Sequence, residues 1–407
     1  MDTSSVFYAL SCSIFLFPFA YYFLYKKLTH PIVLFIGVLS FQYLVYVFFQ
    51  DTYYSELSDY SRLEIFLGLW AFLFGFITVS LLCFLFRRHY KVKVVPNFDY
   101  RSKPCFDILD GKVRFFTVFV IFAHLYIGVN NGLNGVYDSF LINVRMEHIA
   151  NPGKFYFFPH MAIFLQSWFV YSIIHKHKVV SSITYLVLLT FLCALSKLER
   201  SAIICFIITL LILKDQLTYD GVPIKVVFYS FSIVFSIFIF VSAQFYTSSS
   251  IFDLLFVFLD YFAKNLDTFN RYVIDLTPTY DLSLILGPFA KFFTDNVGLS
   301  EVAVDGSFNT YSYLKNLHLF GGVEFVVLFN TLLGFLFSII YEARYKLNGC
   351  LLGFFSFFSC SLFLSFFAYT FSWSNWIYYA ISFFVIFRLT NRRRSVYSNS
   401  GMDSVSV

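Results

Sequence analysis

Apolar residues dominate this chain in runs long enough to cross a lipid bilayer, and short polar connections separate the runs. A bilayer core about 30 Å thick needs roughly 20 apolar residues in helical conformation, so each run predicts one membrane-spanning helix. The expected fold class is therefore all-α, a polytopic integral membrane protein whose residues 1–407 form a single domain. The pattern predicts about eleven spans, at residues 5–25, 31–50, 64–86, 113–130, 155–174, 179–196, 201–213, 223–246, 320–341, 350–371 and 374–391.

The composition supports this fold class and narrows the possible functions. Apolar residues make up 59% of the chain and charged residues 13%, against about 25% charged residues in a typical soluble domain. The net charge of +5 comes from residues at the ends of the predicted spans, so it does not indicate nucleic-acid binding. The chain contains no HExxH motif, P-loop or Gly-x-Ser-x-Gly motif, which would indicate a zinc protease, an ATP-driven motor or a serine hydrolase. No cluster of metal-ligating residues is visible in the sequence either, and we expect no metal or other cofactor.

Lysine and arginine are concentrated in every second connection between the predicted spans. Lys26 and Lys27 follow the first span, and six basic residues between positions 87 and 103 follow the third. Cytoplasmic connections carry the excess of basic residues in membrane proteins. We therefore expect the N-terminus outside and the C-terminus inside the cell, which requires an odd number of spans.

The connection from Lys197 to Arg200 breaks this charge rule, because it should face outward and yet carries two positive charges. The seventh span that follows has 13 residues, which reach only about 20 Å in helical conformation. Arg200 therefore has two interpretations. It lies below the membrane surface as a functional residue, or it extends to the interface beside Glu199.

A long segment between the eighth and ninth spans, residues 248–316, is too polar to cross the membrane and is expected outside. Its first part predicts a helix whose charged residues share one face, since 100° per residue brings positions i, i+7, i+11, i+14 and i+18 together. This stripe is either the solvated face of an interfacial helix or the lining of a polar groove, with an arginine directed at an anion. It consists of Asp253, Asp260, Lys264, Asp267 and Arg271.

The end of the same segment predicts a short helix. Ser307 or Asn309 could cap its N-terminus, where free N–H groups attract phosphate. Gly321-Gly322 would end it and let the chain enter the membrane as the ninth span. The alternative is an ordinary capped helix with a glycine turn, in which His318 is structural rather than catalytic.

Several of these residues resemble a known family, the Wzy-type O-antigen polymerases, also called oligosaccharide repeat unit polymerases. The late region of that family is similar to the Phe-Asn-Thr-Tyr run at 308–311, the Phe-Gly-Gly run at 320–322, and Gly334 and Tyr341. The run at 195–201 resembles the family's mid-chain arginine. The plan of about 400 residues, ten to twelve spans and a large late periplasmic loop is also similar.

The resemblance implies a specific activity. Such enzymes join undecaprenyl-diphosphate-linked oligosaccharide repeat units at the periplasmic face of the bacterial inner membrane, transferring the growing chain to the next lipid-linked unit. Their fold is similar to that of other multispanning glycosyltransferases with lipid-linked donors. The expected partners are the lipid-linked oligosaccharide, membrane lipid, a chain-length regulator and a flippase of the same pathway, with no nucleic acid.

This chemistry needs cations at the diphosphate leaving group and a general base for the acceptor hydroxyl. Arginine suits the first role, because its fork matches phosphate oxygens. The candidates for diphosphate binding are Arg145, Arg200, Arg271, Asn309 and Tyr311, with Arg62 as a further arginine. The candidates for the base are Glu199, Asp260, Asp267 and His318.

Two other functions remain open. An O-antigen ligase uses the same kind of donor with a different acceptor, and the sequence separates it poorly from a polymerase. A lipid-linked oligosaccharide flippase would distribute polar residues through its spans around a central cavity. The predicted span centres are nearly free of charge, which favours an enzyme that works outside the membrane core.

Overall fold

The structure is a computed structural model. It describes residues 13–25, 27, 29–50, 52–90, 104–150, 157–197, 200–217, 225–226, 229, 232–233, 235–236, 251–286, 312–344, 347, 349–365 and 375–391. The predicted eighth span, residues 223–246, lies largely outside this part of the chain.

The described elements are helices. A π-helical segment, Val33–Gly37, runs directly into α2. The α-helices are α1 (Leu16–Tyr25), α2 (Val38–Phe49), α3 (Asp59–Tyr90), α4 (Pro104–Leu133), α5 (Phe140–Ala150), α6 (Phe157–Ile174), α7 (Val179–Leu195), α8 (Arg200–Leu217), α9 (Ile251–Tyr272), α10 (Ser283–Leu286), α11 (Leu314–Ala343), α12 (Gly349–Phe358), α13 (Cys360–Leu364) and α14 (Asn375–Asn391).

Apolar helices confirm the all-helical class and indicate a membrane-embedded protein. Three of them are long and apolar enough to cross a bilayer, namely Asp59–Phe86, Ile108–Leu133 and Leu314–Ala343. Four shorter apolar helices lie at Val33–Phe49, Phe158–Ile174, Val179–Leu195 and Gly349–Leu364. These helices coincide with predicted spans, while the full number of spans stays a prediction.

Two hydrophobic clusters organise the helices. One lies between α2, α3, α9 and α11, and the other lies between α4, α6, α7, α12 and α14. Helices α8 and α12 contribute side chains to both clusters, through residues such as Ile212 and Leu213 on α8. The clusters therefore meet along these two helices.

Glycine allows α3 and α11 to pack with their backbones in close contact. A Cβ atom at Gly334 would overlap the carbonyl oxygen of Phe72 and lie 2.9 Å from the backbone nitrogen of Phe76. A Cβ atom at Gly75 would likewise overlap the carbonyl oxygen of Thr331. Small residues serve this purpose in membrane helix pairs, because lipid supplies no hydrophobic drive to hold helices together.

The change Gly334→Ala is expected to destabilise the protein, because a single methyl group forces α3 and α11 apart. The matched control is Gly111→Ala on α4, where an added Cβ meets no atom within 4 Å. Alanine is favoured over glycine inside a helix by about 1 kcal/mol, so the control should be neutral or stabilising. Melting of the detergent-purified proteins measures both. Equal melting temperatures for the two variants would contradict the close contact.

Helix α11 contains a sharp kink at the predicted glycine pair. Gly321 and Gly322 have non-helical backbone angles, and Gly322 has a φ of 67°. Residues other than glycine are strained at such an angle. The prediction that Gly321-Gly322 separates a short helix from a longer one is therefore confirmed. The short helix begins at Leu314, and the proposed caps Ser307 and Asn309 lie outside the described residues.

Charged residues at one end of the bundle are tied into buried ion pairs. Asp110 on α4 accepts hydrogen bonds from Arg114 (2.7 Å) and Trp168 (3.2 Å). Lys27 approaches Asp215 at the C-terminal end of α8, with an Nζ–Oδ1 distance of 3.6 Å. We call this end of the bundle the Arg114 end. The charges of Asp110 and Asp215 are paired there with basic side chains of the protein.

Candidate functional site

The candidate site is built on α9, which lies at the opposite end of the bundle from Arg114. The sequence predicts a helix here, and the structure confirms it from Ile251 to Tyr272. Its apolar side chains Phe262, Leu266 and Phe269 are buried in the first hydrophobic cluster. This packing holds the helix against α2 and places Asp260 and Asp267 within hydrogen-bond reach of the connection 50–58.

Two acidic residues of the charged stripe, Asp260 and Asp267, form hydrogen bonds within the protein. Asp267 is 9% exposed. Its carboxylate accepts hydrogen bonds from Ser55 Oγ at 3.1 Å and from the Tyr46 hydroxyl at 3.3 Å. Arg271, one turn further on, donates from Nε to Asp267 Oδ1 at 3.0 Å and approaches Oδ2 at 2.9 Å. Asp267 thus joins α2, the connection 50–58 and α9.

Asp260 makes a second link to the same connection. It accepts a hydrogen bond from the hydroxyl of Tyr54, whose ring stacks on Tyr46 with centroids 5.2 Å apart. Burial and then this hydrogen bond raise the pKa of Tyr54. The phenol therefore stays protonated as a donor, and the Asp260 carboxylate is engaged.

Asn270 fixes the beginning of α3. Its side-chain oxygen accepts from the Ser58 backbone nitrogen at 2.9 Å and from Ser61 Oγ at 2.7 Å. Its side-chain nitrogen donates to the carbonyl oxygen of Glu56 at 3.1 Å. Three of the four hydrogen-bonding positions of this amide are directed at one short stretch of chain, so the end of α9 is joined to the start of α3.

Arg271 has the exposed guanidinium of the site. Only Nε is used inside the protein, where it bonds Asp267 and approaches Ser55 Oγ at 3.2 Å. Among the described residues neither terminal nitrogen has a partner, and the side chain is 43% exposed. The side chain is therefore held in place at one edge of its fork, and the other edge is available to an anion.

Arg62 lies nearby and differs in this respect. Its terminal nitrogens face the carboxylates of Glu56, at 2.7 Å, and Asp59, at 3.7 Å. The side chain is 15% exposed. Its fork is already filled by protein carboxylates, which makes it a poor second candidate for binding a phosphate.

His318 pairs with a residue that the sequence analysis did not single out, Glu64 on α3. His318 Nδ1 lies 2.9 Å from Glu64 Oε2, and both residues are buried. His318 Nε2 lies 3.3 Å from the carbonyl oxygen of Leu276. Both ring nitrogens therefore have partners inside the protein, and although burial alone would lower it, the hydrogen bond to Glu64 raises the pKa of His318.

The Glu64–His318 pair supports the kinked beginning of α11. The connection after α9 returns to the same place, where the Thr279 nitrogen donates to the Leu319 carbonyl at 2.7 Å and the Tyr280 nitrogen donates to that of Phe320 at 3.0 Å. These bonds satisfy carbonyl groups left open by the kink. The exposed Glu324 follows directly, with its carboxylate beside Gly322.

The other predicted site residues are not part of this arrangement. Arg145 lies on α5 and is half-buried, with no ion pair to any described residue. Arg200 begins α8, but its side chain lies outside the description. Glu199, Asn309 and Tyr311 also lie outside the described residues. The structure therefore brings together Asp260, Asp267 and Arg271, with His318 close by in the same assembly.

Sequence reasoning missed the partners of these residues for an identifiable reason. Tyr46, Ser55 and Glu64 are separated from their partners by more than 200 positions. Glu64 gave the best available signal, because it is an acidic residue at the first position of a predicted span. A carboxylate there needs a partner, and a histidine at the start of another span was available.

Comparison of the chain with protein-family models, with curated proteins and with solved structures gives no match.

Proposed function

We propose that this protein polymerises undecaprenyl-diphosphate-linked oligosaccharide repeat units into O-antigen polysaccharide. The reaction transfers the growing chain from its lipid diphosphate onto the next lipid-linked unit. The protein lies in the bacterial inner membrane with about eleven spans. In this proposal the end of the bundle that carries Arg271 faces the periplasm. The Arg114 end and the C-terminus face the cytoplasm.

The exposed fork of Arg271 is the observation that carries the proposal. Transfer of a glycan from a lipid diphosphate places negative charge on the leaving diphosphate, and a fixed cation stabilises that charge as it develops. Asp267 and Ser55 hold Nε of Arg271, and the two terminal nitrogens have no partner among the described residues. A guanidinium held in this way can bind two phosphate oxygens at once, through two N–H groups, with little loss of side-chain entropy.

The carboxylates around Arg271 have positioning roles in this proposal. Asp267 orients the arginine, and Asp260 secures the connection 50–58 through Tyr54. The buried Glu64–His318 pair holds the kinked start of α11 against α3. Both ring nitrogens of His318 already have partners inside the protein, so His318 is assigned to support rather than to proton abstraction.

The surface glycan of a strain lacking this gene tests the proposal. We expect lipid A core that carries one repeat unit, because flipping and ligation continue while joining stops. Unsubstituted core with long polymer on the lipid carrier would identify a ligase instead. Unsubstituted core with only single lipid-linked units would identify a flippase.

The proposed orientation predicts which residues an impermeant thiol reagent reaches from outside. Tyr280 is 71% exposed beside the kink of α11, so Tyr280→Cys should react in intact cells with a permeable outer membrane. Ser398→Cys, near the C-terminus, should react only after the inner membrane is opened. The unsubstituted protein, with seven native cysteines, provides the background. The reverse labelling pattern would place Arg271 on the cytoplasmic side and contradict the proposed reaction.

A further inference from the structure

An exposed tyrosine lies beside the kink of α11, in the connection 275–280 that follows α9. The side chain of Tyr280 is 71% exposed. Its ring meets the ring of Phe320 at a steep angle, with centroids 6.3 Å apart. Most of the aromatic surface is therefore accessible to a molecule outside the protein.

The main chain of this connection is held by hydrogen bonds at both ends. The carbonyl oxygen of Leu276 lies 3.3 Å from His318 Nε2, and His318 is itself held at 2.9 Å by Glu64. The nitrogen atoms of Thr279 and Tyr280 donate to two carbonyl groups of α11, at 2.7 Å and 3.0 Å. The exposed ring is thus carried by a well-supported stretch of backbone.

Tyr280 adopts a left-handed backbone conformation, with a φ of 55°. Residues with a side chain rarely adopt this conformation, whereas glycine adopts it without strain. Core packing does not explain why tyrosine occupies the position, because most of the side chain is exposed. Backbone strain of this kind is concentrated at binding and catalytic sites, so a ligand for the ring would account for it.

A carboxylate lies beside the same connection. A Cβ atom at Gly322 would lie 3.3 Å from Glu324 Oε2 and 3.4 Å from Pro278 Cγ. The Glu324 side chain therefore folds back to the side of Gly322 on which Pro278 lies, two residues before Tyr280. Glu324 is exposed, and it forms no hydrogen bond or ion pair with any residue that the structure describes.

An exposed ring next to an unengaged carboxylate suits the chemistry of a sugar. The face of an aromatic ring is electron-rich and attracts the polarised C–H groups on the flat side of a sugar. A carboxylate accepts strong hydrogen bonds from hydroxyl groups. A phosphate fits poorly, because Glu324 would repel it. A tyrosine that only anchors the protein among lipid headgroups requires neither the strained backbone nor the carboxylate.

We propose that Tyr280 and Glu324 form a binding surface for a sugar of the lipid-linked repeat unit. The ring of Tyr280 stacks on the sugar, and Glu324 accepts hydrogen bonds from its hydroxyl groups. This inference rests on the proposed function, because it assigns the glycan part of the substrate a place separate from that of the diphosphate. Arg271 precedes Tyr280 by nine positions, at the other end of the same stretch of chain.

The test uses the full-length protein in detergent and a phosphate-free oligosaccharide of one repeat unit, released from the surface glycan of the host by partial acid hydrolysis. Melting with and without millimolar oligosaccharide measures binding and folding together. We expect the oligosaccharide to raise the melting temperature of the wild type and of Arg271→Ala equally, since the probe carries no phosphate.

Substitutions at Tyr280 separate binding from folding. Tyr280→Gly relieves the left-handed strain, so without oligosaccharide it should melt no lower than the wild type. It should nevertheless bind the oligosaccharide at least about 10-fold more weakly, because the stacking surface is gone. Tyr280→Phe keeps the ring and should bind nearly as well as the wild type.

Glu324→Gln should also bind at least about 10-fold more weakly, because it loses the charge that strengthens the hydrogen bonds. Two matched controls change similar side chains elsewhere. Tyr126→Ala removes a tyrosine of α4 that is 72% exposed. Asp138→Asn neutralises an exposed carboxylate in the connection between α4 and α5. Both controls should bind like the wild type.

The outcomes separate this surface from the proposed function. No rise in the melting temperature of the wild type would overturn the surface, even if the gene deletion blocks polymerisation. Unchanged binding by Tyr280→Gly and Glu324→Gln would overturn it as well, and would leave Tyr280 as an anchor at the lipid surface. Weaker binding by both variants, with a gene deletion that leaves polymer length unchanged, would support the surface and contradict the polymerase.

Discussion

Replacing Arg271 by alanine is expected to reduce polymer formation by at least about 100-fold, the usual effect of removing one charge-stabilising group from an active site. The guanidinium makes only local contacts to Asp267 and Ser55, and its side chain is 43% exposed. Its loss should therefore leave the fold intact. The surface glycan should become core with a single repeat unit, while the amount of protein in the membrane stays the same. Arg271→Lys should recover part of the activity, since it restores the charge without the fork.

Arg62→Ala is the matched control for this experiment. Both arginines lie at the same end of the bundle, but the fork of Arg62 faces the carboxylates of Glu56 and Asp59. Exposed ion pairs of this kind contribute about 0–1 kcal/mol. The control should retain long polymer. Long polymer in Arg271→Ala, or its equal loss in both variants, would contradict the assignment of the diphosphate to Arg271.

The single substitutions Glu64→Leu and His318→Leu are each expected to destabilise the protein by about 3–5 kcal/mol, since either one leaves an unpaired charge in a buried place. The two side chains are buried and lie 2.9 Å apart. Melting of the purified variants measures the effect. The activity of each single variant should fall because the kinked start of α11 loses its anchor on α3.

The double variant distinguishes a supporting ion pair from two independent contributions. Replacing both partners of a buried pair by apolar residues is often neutral or stabilising, so Glu64→Leu with His318→Leu should recover most of the lost melting temperature. A double variant that is as unstable as the sum of the singles would show that the two residues act separately. Full stability in each single variant would show that the Glu64–His318 pair does not stabilise the protein.

The sequence predicts the helices of this protein well where apolar runs are long. The predicted spans 64–86, 113–130 and 320–341 lie entirely within α3, α4 and α11. The helix at 251–272 and the break at Gly321-Gly322 also follow from local signals, namely charge periodicity and a glycine pair. These features depend on residues close together in the chain, so periodicity and backbone preference are sufficient to find them.

The partners of the candidate site could not be predicted in the same way. The stripe on α9 is consistent with a solvated face or with a polar groove, and the periodicity gives no sign that Asp260 and Asp267 bond Tyr46, Tyr54 and Ser55. The protonation of His318 depends on Glu64 and on the Leu276 carbonyl, which come from two distant parts of the chain. Such arrangements arise from tertiary contacts, and a single sequence does not contain them.

The most direct test of the proposed function is chain elongation by the purified protein. The full-length protein is reconstituted in lipid vesicles with undecaprenyl-diphosphate-linked single repeat units from the deletion strain, and the glycan length is followed by gel. We expect lipid-linked products of two or more units with the wild type and with Arg62→Ala, and none with Arg271→Ala. Folded wild-type protein that leaves every unit single, or that only moves units across the bilayer, would contradict it.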